Sequence, residues 1–300
     1  MSPHSPAWAC TSRSELAERA LQWVTAPALT DLVARLGGPV PDAGLPSLRA
    51  LRRWTASTLD TRRGVERREA PVVRRPAAQR QMVVDAARQL GLVETPDPTL
   101  DVYDSLIVLA GATTGNRLRT ALARALLSRV RATDVVAVAS DRPLTSSEHD
   151  SDPDSRADRT EWRHLRRCLD DEFGPLRCTD RTDPGDGGID LSYEAPGDVA
   201  VRMLVAPEVN GIRPNTTQQL RYLRARSPFG SHERSLLVTS AIYAPYQFFA
   251  ACRELIGDPV RHLELVGTPT SVEGCTDVLA QRLLQEIHAG VHAAVDIVDA

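Results

Sequence analysis

The spacing of apolar positions changes once along this chain. Up to about residue 100 they recur three and four apart. Leu16, Ala20, Leu21 and Val24 share one face after Ser14, and a second helical pattern runs from Thr30-Asp31 through Leu32, Val33 and Leu36 to a glycine stop at Gly37-Gly38. Further helices are expected over 47–59 and 77–92.

From Val102 the apolar runs shorten to strand length. Residues 105–110, 134–139, 199–205, 235–240 and 262–266 are rich in β-branched residues and lack polar alternation, as expected for strands covered on both faces. Helical patterns follow over 118–130, 161–173, 215–226, 245–256 and 276–294. In the 118–130 helix the apolar face is read as Leu118, Leu122, Ala125, Leu126 and Val130. Residues 145–158, dense in Ser, Asp and Pro, read as a surface loop, and 179–197 as a loop or insertion. Strands alternating with helices predict an α/β fold, a Rossmann-like doubly wound and mostly parallel sheet with an N-terminal helical extension. The boundary falls between a helical region, 1–100, and an α/β domain, 101–300.

Composition removes some chemistries. The 36 basic residues are all arginine, so no lysine is available for a Schiff base or a P-loop. A net charge of -3 gives no general electrostatic reason to expect nucleic acid. The five cysteines are odd in number and, like the histidines, lack zinc-ligand spacing, so no metal is expected and a reduced, cytoplasmic chain fits. No apolar run approaches the roughly 18 residues of a membrane span. The arginine-dense stretch 62–75 reads as a solvated loop balanced by Glu66 and Glu69, or as an anion-binding arm.

Candidate chemistry gathers where strands meet helices. The turn Gly111, Ala112, Thr113, Thr114, Asn116 and Arg117 combines a close-approach glycine with the N–H groups of a helix start, although it is neither G-x-G-x-x-G nor Walker A. Arg117 and Arg119 suit a carboxylate or phosphate, Arg119 being otherwise a solvated helix residue. Ser140 and Asp141 follow the second strand, where an acid commonly accepts from ribose hydroxyls, or else merely caps a turn. Glu161 opens a helix, as a dipole-complementing carboxylate or an acid/base. Asn215, Thr216 and Gln219 crowd another helix start, and Thr239, Ser240 and Tyr243 lie beyond the next strand, where Tyr243 reads as a ring that stacks on a base or as one that simply covers the end of the sheet.

At these residues the chain resembles the YdcF/SanA/ElyC family of Rossmann-like proteins. The likeness is carried by Leu109-Ala-Gly-Ala112, Arg159-Thr-Glu161, Asn215-Thr-Thr-Gln-Gln219, and the strand and helix at 236–240 and 245–257, and it spans about residues 102–268. Gln218-Gln219 replaces a Glu-Asn pair, Ser140-Asp-Arg142 a Ser-Gly-Gly, and Tyr243 a histidine. The resemblance implies a Rossmann-like domain with a capacity for S-adenosylmethionine, and the replacements favour a repurposed pocket over inherited catalysis. The first 100 residues have no counterpart there, and either cover the site or form a homodimer surface.

The resulting expectation is a protein that binds a nucleotide-like small molecule, S-adenosylmethionine first, in a group-transfer reaction. The alternatives are a hydrolase or transferase gripping a phosphorylated or carboxylated metabolite through Arg117, Arg119 and Arg213, with Glu161 as acid/base, and a non-catalytic sensor or scaffold. Neither nucleic acid nor membrane is expected as a partner.

Overall fold

The computed structural model describes residues 6, 8–61, 71–196, 200–209, 212–226, 233–257 and 260–300. Four helices open it: α1 (Arg13–Val24), α2 (Pro27–Arg35), α3 (Leu45–Thr58) and α4 (Ala77–Gln89). The sheet and its helices follow as β2 (Val102–Leu109), α5 (Thr113–Leu126), β3 (Arg131–Ser140), α6 (Ser146–Ser151), α7 (Glu161–Phe173), β4 (Arg177–Thr182), β5 (Ile189–Glu194), β6 (Ala200–Ala206), α8 (Thr216–Arg226), β7 (Arg234–Ser240), α9 (Ala244–Leu255), β8 (His262–Thr268) and α10 (Asp277–Val298). A short strand ahead of α1, β1 (Ala9–Cys10), pairs antiparallel with β8.

The eight strands lie in the order β1-β8-β7-β2-β3-β6-β5-β4. The five inner strands, β8 to β6, are mutually parallel. Numbered along the chain, they read 5-4-1-2-3, the doubly wound order of a Rossmann-like sheet. Their side chains alternate between two apolar layers. Leu106, Val108, Val135, Ala137 and Val238 pack under α5 and α7. Ile107, Leu109, Val136, Val138 and Leu237 join a larger cluster with α8, α9, α10 and residues of the N-terminal helices. Gly267 permits close packing at the end of β8, since a Cβ there would lie 2.6 Å from the Ala241 backbone nitrogen.

Three expectations are corrected. The segment 179–197, read as a loop, holds β5 and most of β4, an antiparallel hairpin extending the sheet beyond β6. All six residues of β4 are exposed, so no apolar alternation marks it. The segment 145–158, read as a surface loop, contains α6 and a 3-10 turn over Pro153–Ala157. A reciprocal cap starts α6, with Thr145 and Glu148 each satisfying the other's backbone N–H, and Glu148, Asp152 and Ser155 are buried. The third concerns α5, which begins at Thr113 and buries Thr113, Asn116, Arg119, Thr120, Ala123 and Leu126, while Leu118 stays 50% exposed.

Residues 62–70 of the arginine-dense stretch lie outside the described residues. Its described end docks on α10, where the Val73 N–H donates to Gln281 and the Arg75 N–H to Asp277.

Candidate functional site

The chain leaves β2 for α5 on one face of the sheet and leaves β7 for α9 on the other. The two strands are neighbours, so their carboxyl ends flank the crevice at which such sheets take ligands. Arg119 lies in it. Nearly two turns into α5, its side chain points back toward the helix start and is only 1% exposed. Its Nη1 donates to the carbonyls of Leu109 and Ala110, each at 2.7 Å, and its Nε to Ser240 Oγ at 3.2 Å. Among the described residues no carboxylate pairs with it. Burial pushes the guanidinium down to about 10, against the pull of Tyr243 and Glu161, so it stays charged at neutral pH. A Cβ at Gly111 would stand 3.1 Å from this guanidinium, which is why glycine suits the turn.

Tyr243 covers the same crevice. The Arg119 guanidinium carbon lies 5.5 Å from the ring centroid, and that of Arg282, on the exposed side of α10, lies 5.4 Å from it. Arg282 Nη2 also donates to the Tyr243 hydroxyl at 2.5 Å. Arg282 likewise has no ion pair with a described residue.

The other polar residues of this end hold one another. Asn116 Oδ1 accepts from the Gly111 N–H at 2.7 Å, and its amide nitrogen meets His164 Nδ1 at 3.2 Å. His164 Nε2 lies 3.0 Å from Asp152, which Arg117 grips through Nε and Nη2. Burial keeps His164 below its usual range despite Asp152, while the Arg117 bonds hold Asp152 well below the carboxylate range. Cys168 Sγ is 3.6 Å from His164 Nδ1, but it is buried and its thiol is pushed up to about 12, which leaves it unfit as a nucleophile.

Glu161 accepts from the Ser140 N–H at 3.0 Å, from Ser140 Oγ at 2.7 Å and from Arg142 Nε at 2.9 Å. Arg142 also grips Glu148. Burial alone would raise Glu148, but Arg142 and Thr145 hold it down to about 2. Asp141 accepts from the Trp162 indole N–H at 2.7 Å.

Of the residues singled out by sequence, Gly111, Arg119, Ser240 and Tyr243 meet in the crevice. Thr113 donates to the Glu148 carbonyl, Thr114 is exposed, and Ala112 is the uncapped residue before α5. Asn215 and Gln218 cap α8 reciprocally, each side chain accepting the other's backbone N–H. Gln219 is buried, and Arg213 is exposed. Gln247 joins the two regions, accepting from Thr239 and donating to Thr216 at 3.3 Å. His164 and Arg282 were not singled out. His164 carried a signal, since it lies three residues after Glu161 and four before Cys168 on one face of α7; Arg282 carried none.

No described helix is long and apolar enough to cross a membrane, and no group of three or more described His, Cys, Asp or Glu is arranged to hold a metal ion.

Residues 9–91, from β1 to just past α4, match the family described as the Rv3785 N-terminal domain. Over 312 residues the chain is 26% identical to the uncharacterized protein Rv3785 of Mycobacterium tuberculosis (strain ATCC 25618 / H37Rv), with 91% of this chain and 86% of that protein covered. The uncharacterized protein Mb3814 of Mycobacterium bovis (strain ATCC BAA-935 / AF2122/97) is similar to the same extent. No solved structure matches. These likenesses overturn the resemblance to the YdcF/SanA/ElyC family. The elements quoted for it, a strand ending in a glycine turn and a capped helix start, are common to doubly wound sheets and specify no one family.

Proposed function

We propose that this protein binds an anionic, nucleotide-like small molecule in the crevice between the turns that follow β2 and β7. The observation that carries the reading is Arg119, a buried guanidinium with hydrogen bonds but no counter-ion among the described residues, at the point where the strand order reverses. Folding gains little from burying a charge without an opposite one, so the position is better explained by a ligand that supplies it.

This favours a phosphorylated or carboxylated metabolite. S-adenosylmethionine has a carboxylate to offer Arg119 but brings a sulfonium charge toward two guanidinium groups. Its strongest support was the resemblance now corrected. Glu161, with its carboxylate engaged by Ser140 and Arg142, is read here as positioning the end of β3 rather than as the acid/base of a transfer. A cytoplasmic location belongs to the same proposal, supported by five free thiols.

Calorimetric titration with AMP, ATP, NAD, S-adenosylmethionine and S-adenosylhomocysteine tests it. Heat is expected from at least one phosphorylated compound and is expected to vanish in Arg119→Met. No heat from any of the five, or equal heat in that variant, refutes the reading.

A further inference from the structure

All five thiols are free, and two of them touch. Cys10 in β1 and Cys252 in α9 come from opposite ends of the chain, and both are 0% exposed. The Cys252 thiol donates to Cys10 Sγ, and Cys10 in turn donates to the Ser12 carbonyl at 3.2 Å. The bond from Cys252 holds the Cys10 thiol below its ordinary value, whereas burial and that same bond lift Cys252 well above it. Arg19 favours the thiolate at both sulfurs, and Glu15 opposes it.

One thiol made more acidic by a second is the arrangement in which the first attacks an oxidant and the second resolves the product. Space decides which oxidant arrives. Trp8 shares the inward side of its strand with Cys10, and Phe248 and Phe249 lie one turn before Cys252 on α9. A cavity of about 180 Å³ is walled by Trp8, Arg19, Trp23, Phe248 and Phe249, so it reaches the immediate neighbours of both sulfurs. It has room for a few molecules the size of water, at about 30 Å³ each, and none for a peptide disulfide.

We infer that Cys10 and Cys252 form a dithiol that a small hydroperoxide oxidises to a disulfide, stapling β1 to α9. With hydrogen peroxide, the Cys10 sulfur attacks one oxygen as the O–O bond breaks. The departing oxygen leaves with the Cys10 proton as water, and Cys10 becomes a sulfenic acid. The Cys252 sulfur then attacks that of Cys10, forming the S–S bond as the S–O bond breaks, and hydroxide leaves with the Cys252 proton as a second water. Two electrons pass from the thiols to one peroxide. Cys10 is the second residue of the stretch that matches the Rv3785 N-terminal domain, so the bond ties that region covalently to the sheet domain. The inference is independent of the anion site.

The test treats the reduced full chain with hydrogen peroxide or glutathione disulfide, blocks the remaining thiols in denaturant and maps disulfides by mass spectrometry. A Cys10–Cys252 linked peptide is expected, formed about tenfold faster or more with peroxide. In Cys252→Ala, with a melting curve to check folding, Cys10 should stop at the sulfenic acid and take up dimedone. Oxidation should raise the melting temperature by about 5 °C, reversibly with dithiothreitol, measured in Cys178→Ser so that the exposed thiol cannot couple two chains. No linked peptide at peroxide levels that oxidise Cys178, or one formed only in urea, overturns the inference. Equal rates with the two oxidants overturn the hydroperoxide assignment and leave the dithiol. An unchanged melting temperature overturns the staple.

Discussion

Arg119→Met keeps the length of a side chain that is 1% exposed and removes its charge and its three hydrogen bonds. Two opposing terms decide the effect on stability. Burial moves the guanidinium from 12.5 to about 10, so holding it charged costs the fold about 3 kcal/mol, which methionine no longer incurs. The hydrogen bonds to Leu109, Ala110 and Ser240 contribute about 1 kcal/mol each, and these are lost. The terms nearly cancel, and an unbranched, adaptable side chain fills the space. Urea unfolding should therefore shift by less than about 2 kcal/mol in either direction, while affinity for a phosphorylated ligand falls about 100-fold, close to 3 kcal/mol. A stability loss above about 4 kcal/mol with unchanged affinity would refute the reasoning. Arg119 would then be a strut tying the ends of β2 and β7 together.

Three further outcomes follow from the same geometry. Asp152→Ala leaves His164 and Arg117 without their shared acceptor and should cost about 3 kcal/mol in guanidinium unfolding, whereas a loss below about 1 kcal/mol would deny the network a structural role. Glu148 and Glu264, both held near about 2 in the folded chain against an ordinary 4.5, contribute stability that is present above about pH 4.5 and lost as pH falls toward 2. Thr99 and His262 bind the Glu264 carboxylate, so Glu264→Gln should flatten that acid limb by up to about 3 kcal/mol, and an unaltered limb would contradict it. In native labelling with iodoacetamide followed by mass spectrometry, exposed Cys178 should react first and buried Cys168 only on unfolding; early labelling of Cys168 would contradict its packing.

The inner strands were legible because β2, β3, β6, β7 and β8 are covered on both faces, and burial there demands unbroken β-branched runs. The edge was not. β4 is exposed throughout, and β1 is two residues long, so neither leaves a periodic trace. Hydrophobic spacing also misjudged α5, whose buried face toward the site is Thr113, Asn116, Arg119 and Thr120. These side chains are buried by hydrogen bonding, which periodicity does not record. The start of α6 was readable in Thr145 and Glu148, but the surrounding Ser and Asp masked it. Glycine turns and helix starts marked where strands end, and hence where a site belongs. Which arginine stays unneutralised depends on contacts between elements distant in sequence, such as Arg282 with Tyr243.

The most direct measurement is a crystal structure grown with AMP. Phosphate oxygens are expected at about 3 Å from the Arg119 guanidinium, in the crevice between Gly111 and Ser240. Phosphate bound elsewhere, with Arg119 still closed onto the Leu109 and Ala110 carbonyls beneath Tyr243, would contradict this.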